Sequence, residues 1–165
     1  MKKNIYLSII CCFLAISETS FADSEQDIKF ILQASNPPAG IVFEIVEGKR
    51  DDLAWAIPQT QDYIRQLKEK FPAMKFAVVS HGSEQFGLLK SESTQQAQMQ
   101  TKVRSLVTDQ NVPVHICGTH ASWFHKTAVD FPDWVDVVPV GPAKIRDYQR
   151  SGYALIVIEQ KRIKN

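Results

Sequence analysis

His115, Cys117, His120 and His125 fall within eleven residues (HICGTHASWFH), the densest group of reactive side chains in the sequence. A thiol among imidazoles suggests two chemistries. One is nucleophilic: a thiolate attacks while a histidine moves the proton. The other is metal binding, since Cys/His clusters hold zinc or copper. The spacing argues against a compact metal site. His115 and Cys117 share a face of an extended segment, but the chain then turns. His120 and His125 are five apart, so on a helix they point about 140° apart. No metal site and no cofactor is expected. His115 is expected to pack under a helix or bond a carboxylate, and His125 to lie at the surface or an interface. Trp55, Trp123, Phe124, Phe131 and Trp134 could line a pocket or an interface, with core packing the default.

The elements that must position these residues alternate. Ile41–Val46, Met74–Ser80, Val112–Cys117, Val135–Val138 and Tyr153–Ile158 are short, continuous apolar runs, read as strands. Helices are expected from about Ile57 to Phe71, over Thr94–Asp109 and Thr119–Val129, and from Gly141 to about Ser151. Pro58 belongs in the first turn of its helix, and Gly152 caps the last one. Asp51 and Asp52 read as a helix N-terminal region, not a catalytic pair. Asp23–Gly40, ending in Pro37-Pro38, reads as an N-terminal arm with at most one helical turn. The domain then occupies 41–160, and Lys161, Arg162 and Lys164 form a solvated basic tail. The expected fold is α/β, a mainly parallel five-stranded sheet with helices on both faces.

In such a sheet, chemistry gathers at the carboxyl ends of the strands. His81 ends the second strand and Cys117 the third. Gly118-Thr119-His120 leads into the next helix, and Gly141 follows the fourth strand. Cys117 is the candidate nucleophile, because a thiol before a helix start is drawn toward the thiolate. His120 and His81 are candidate proton donors. Gly82, Gly118, Thr119 and Gly141 border the same edge and are candidates to bind the ligand. A buried, inert thiol is the equal alternative for Cys117.

The N-terminus bounds where this chemistry happens. Lys2 and Lys3 precede an apolar stretch, Ile5–Ile16, about a dozen residues long. That suits a signal peptide and falls short of the roughly 20 residues that span a bilayer. Ser20 and Ala22 supply small residues before a cut, so residues 1–22 are expected to be removed and the mature protein to be periplasmic or secreted. Ile10 and Cys11 precede Cys11 and Cys12, which excludes a lipoprotein cut. Cleavage removes Lys2, Lys3 and Glu18, leaving 17 basic and 17 acidic residues. That balance favours neither nucleic acid nor an anionic membrane as partner. It also removes Cys11 and Cys12, so Cys117 stands alone in a compartment that oxidises thiols.

Two segments taken together resemble the DsrE/DsrF-like family of sulfur-relay proteins. The first is KFAVVSHGS, a strand ending in His-Gly. The second is VPVHICGTH followed by VVPVGPAKIRDYQRSGYALI, with its V-P-x-G and Gln-x-x-Gly-Tyr. The resemblance covers about Ile41 to Ile158. It implies a three-layer α/β/α sandwich and a homo-oligomer, often a trimer or hexamer. It also implies that Cys117 carries sulfane sulfur as a persulfide, exchanged with small sulfur species or with donor and acceptor proteins. His81 and Gly82 match the family's His-Gly. Gly141, Gln149, Gly152 and Tyr153 match its mainly structural C-terminal signature. Three functions compete: a sulfur carrier, a non-catalytic oligomeric module binding a small ligand, metal or protein, and a structural protein with an inert thiol.

Overall fold

The computed structural model describes residues 24–90 and 94–160. The signal segment and the basic tail lie outside the described residues. Five strands form one sheet: β1 (Gly40–Ile45), β2 (Lys75–Ser80), β3 (Val114–Cys117), β4 (Asp136–Val138) and β5 (Tyr153–Val157). Their order is β4-β3-β2-β1-β5, and every neighbouring pair is parallel. Among the described residues the α-helices are α1 (Ser24–Gln33), α2 (Leu53–Lys70), α3 (Thr94–Thr108), α4 (Gly118–Trp123) and α5 (Gly141–Arg150).

Alternation along each strand sorts the side chains onto two faces. Ile41, Phe43, Ile45, Phe76, Val78, Val114 and Ile116 meet α1, α2 and α3 in the main core. Phe43 is fully buried, which contributes about 1.5–3 kcal/mol relative to exposure. Val42, Ala77 and Val79 face Ile145 of α5 in a smaller core. Both faces are therefore apolar, which is why the strands read as continuous runs. The expected α/β sandwich is the one found, with an entirely parallel sheet.

Three local expectations differ from the structure. Residues 24–33 form a ten-residue helix, not an arm with a single turn. Ile28 and Ile31 are buried in the main core, and Ser24 Oγ lies 3.1 Å from the Tyr63 hydroxyl. Packing against α2 holds a helix that propensity alone leaves marginal. Helix α2 begins at Leu53, so Pro58 lies beyond its first turn. Leu53, Ala56 and Ile57 are buried there, and that burial outweighs one missing backbone hydrogen bond. Helix α4 stops at Trp123 instead of reaching Val129, because His125 takes a left-handed conformation with φ 55°. Among the described residues, no helix is long and apolar enough to cross a membrane.

Candidate functional site

The site is built from the loops leaving β1 to β4 at their carboxyl ends. The β2 loop is fastened by Glu84, which is fully buried in a 3-10 turn over Ser83–Leu88. Its carboxylate accepts from Ser80 Oγ at 2.7 Å, the Gly82 N–H at 3.0 Å and the Glu47 N–H at 2.6 Å. A Cβ on Gly82 would lie 2.5 Å from the Glu47 carbonyl oxygen, so only glycine allows this approach. The neighbouring Glu47 carboxyl is pushed above its ordinary 4.5, first by burial and then by the charges of Asp52, Glu84 and Glu159. The edge is thus acidic at β1 and histidine-rich at β3.

Cys117 ends β3 and is 5 % exposed. Its backbone N–H lies beyond the last β2–β3 pair, Ser80 with Ile116, and donates at 3.0 Å to Gln85 Oε1. Thr119 directs both its N–H and its hydroxyl to the Pro139 carbonyl, at 3.0 and 2.8 Å. A Cβ on Gly118 would stand 3.0 Å from the Val138 carbonyl oxygen. Gly118 and Thr119 therefore fit the β3 loop against the β4 loop. Helix α4 has only six residues, so few peptide dipoles align behind Cys117.

Gly141 joins the two candidate reactive groups. A Cβ built on it would lie 2.8 Å from the His81 Cβ and 3.3 Å from the Cys117 Cβ. The thiol-bearing and imidazole-bearing carbons thus flank one point at the start of α5. His81 Nε2 is 2.6 Å from Glu44 Oε1, a carboxylate on β1. His120 Nδ1 donates to the His81 carbonyl at 2.6 Å. A carbonyl can only accept, so Nδ1 of His120 holds the proton and Nε2 is its basic nitrogen when neutral. Phe86, Trp123 and Phe124 pack around that ring at 5.4–5.5 Å between centroids.

The other two histidines do not join them. His115 is 4 % exposed, on the same face of β3 as Cys117. Its Nδ1 donates to Asp136 at 2.9 Å, and its Nε2 accepts from the Tyr148 hydroxyl at 2.8 Å. Burial lowers its pKa from the ordinary 6.5, against the raising effect of the Asp136 bond. His125 is exposed at the end of α4. Among the described residues, no three His, Cys, Asp or Glu side chains converge as metal ligands.

No protein-family model and no curated protein matches the sequence. Solved structures do match. MTH1491 from Methanobacterium thermoautotrophicum, a protein of unknown function, is 20% identical with a TM-score of 0.57, over 71% of this chain and 96% of that one. The ychN protein from E. coli, which has a DsrE-like fold, is 14% identical with a TM-score of 0.51, over 72% of this chain and 98% of that one. The fold is DsrE-like. At these identities the likeness concerns the backbone, and function has to be argued from the side chains.

Within the DsrE-like fold, sequence reasoning missed four contributors. Glu44 had a signal: it is the one charged residue in the apolar run of β1 (GIVFEI). Glu84 and Gln85 had none, since both lie in what reads as an ordinary polar turn yet are fully buried. Tyr148 reads as a helix-surface residue until the helix is placed over His115.

Proposed function

We propose that this chain is an exported, homo-oligomeric sulfur carrier in which Cys117 holds sulfane sulfur as a persulfide. The observation that carries the reading is the shared flanking of Gly141 by Cys117 and His81, with His120 fastened to the His81 carbonyl. This supports the reading because His81, Cys117 and His120 share the carboxyl edge of a parallel sheet, where such folds keep their ligands.

In this reading the Cys117 thiolate attacks the outer sulfur of a donor R–S–SH. The donor's S–S bond breaks as the new one forms, and R–S⁻ leaves with the electron pair. Cys117–S–SH results without an external oxidant. With thiosulfate as donor, the leaving group is sulfite. An acceptor thiolate then takes the outer sulfur and restores the Cys117 thiolate. His120 Nε2 and His81 are the groups that would take and return the thiol proton.

Intact-mass measurement after polysulfide or thiosulfate treatment tests the reading. A gain of one sulfur atom, blocked by prior alkylation of Cys117, is expected. A thiol that never gains sulfur in the folded protein refutes it, and that result is the one an inert cysteine at 5 % exposure would give. N-terminal sequencing of the exported protein should begin near Asp23. Light scattering should give a mass above one chain.

A second reading is favoured by the aromatic cluster. Trp123 and Phe124 are 71 % and 54 % exposed beside His120. As a non-catalytic binding module, the protein would hold a small ligand, metal or partner protein there. Cys117→Ser would then keep its binding. Thermal stabilisation by zinc or copper that is lost in His120→Ala would favour this reading over sulfur transfer.

A further inference from the structure

Gln85 is fully buried, and its two amide atoms fare differently. Oε1 accepts the Cys117 N–H, whereas Nε2 has no hydrogen-bond partner among the described residues, the neutral Cys117 sulfur included. The amide cannot be turned round, because a backbone N–H needs the oxygen opposite it. With Oε1 committed, Nε2 sits on the same carbon as the atom that grips Cys117. Buried polar atoms are nearly always satisfied, so an orphaned amide donor calls for an acceptor that arrives. Of the groups at this edge, the sulfur of Cys117 is the one whose charge and size change in the proposed reaction. Glu84, the neighbouring carboxylate, is already engaged by Ser80, Gly82 and Glu47.

We propose that Gln85 positions Cys117 through Oε1 and donates from Nε2 to the anionic sulfur held there, first the thiolate and then the persulfide. The inference rests on the sulfur-carrier reading only for the second of these anions. The donor is neutral, so it favours the anion without itself changing charge. It also supplies what a six-residue helix start lacks, a side-chain donor dedicated to the sulfur.

The test uses the full mature protein. Gln85→Met keeps the volume and removes both polar ends. Its Cys117 alkylation profile against pH should move up by about one unit, which slows the reaction about tenfold below the midpoint. A folded Gln85→Met with an unmoved midpoint overturns the inference. In the wild type, the Gln85 side-chain amide resonances, assigned by their loss in the variant or by sequential connectivity, should shift as Cys117 ionises. They should shift again on sulfur loading, and neither change should occur in Cys117→Ser. Amide signals that ignore the state of Cys117 overturn the inference even where the variant does not fold. If the wild type takes no sulfur but its amide signals follow thiol ionisation, the carrier reading fails and the role of Gln85 stands.

Discussion

His120 and His81 are joined through the backbone: the His120 ring donates from Nδ1 to the His81 carbonyl at 2.6 Å. This ties the start of α4 to the end of β2 and fixes which nitrogen of His120 is free. His120→Phe keeps the aromatic packing against Phe86 and Phe124 and loses the bond. It should lower stability by about 1 kcal/mol. In the proposed reaction it should also slow sulfur loading of Cys117 by roughly a hundredfold, the low end of what a proton-transfer group supplies. Urea midpoints and intact-mass time courses measure the two effects. A variant that loses stability but loads at the wild-type rate would leave His120 a structural residue only.

Gly141→Ala should destabilise the fold by about 1–3 kcal/mol, because its Cβ would meet the His81 Cβ at 2.8 Å and neither backbone can easily give way. Gly48→Ala is the control. Nothing stands within 4 Å of that Cβ, so stability should move by no more than about 0.5 kcal/mol. Thermal unfolding of the two variants side by side gives the comparison. Equal effects would contradict the close approach at Gly141.

Stability should fall as the pH drops below about 6.5 through His115. Burial, against the pull of the Asp136 hydrogen bond, keeps its folded pKa below the ordinary 6.5. In the unfolded chain the imidazole protonates nearer that value, so the unfolded state binds more protons throughout the window beneath it. The contribution is complete above 6.5 and is lost as the pH falls toward the folded value. His115→Gln should lose less stability than the wild type between about pH 7.5 and about pH 5. Denaturant midpoints at the two pH values decide it, and parallel losses would refute the assignment.

Burial first, then the neighbouring Tyr153 and Asp136, push the Tyr148 phenol up to about 12. Ultraviolet titration should show one tyrosine ionising that late. Tyr148→Phe should remove it and leave the remaining titration unchanged. Because the folded value is raised above 10, stability from this group is lost as the pH rises from 10 through about 12. Ionisation of every tyrosine near 10 would mean that the Tyr148 hydroxyl does not reach from α5 to His115 as described.

Much of this was legible beforehand. Glycine after the last helix sits at Gly152 with φ 84°, as a helix-ending residue should. The apolar stripe Met99, Val103, Leu106 and Val107 of α3 packs into the main core as its spacing requires, the first three buried and Val107 half-buried. The extent of α1, the early start of α2 and the early end of α4 were not legible. Each depends on burial against a distant element or on one left-handed residue, and local propensity records neither.

The sequence by itself determined the alternation of strands and helices, and with it a sheet edge on which Cys117, His81, His120 and Gly141 had to assemble. Periodicity and strand-end position are local properties, so they survive in the linear order. The tertiary structure alone decided which partners those residues met: Glu44 for His81, Gln85 for the Cys117 N–H, and Asp136 and Tyr148 for His115. Those pairings join positions 21 to 37 residues apart. They follow from strand order and from which face each residue occupies. A buried amide or carboxylate looks like any polar turn residue until the strands close around it.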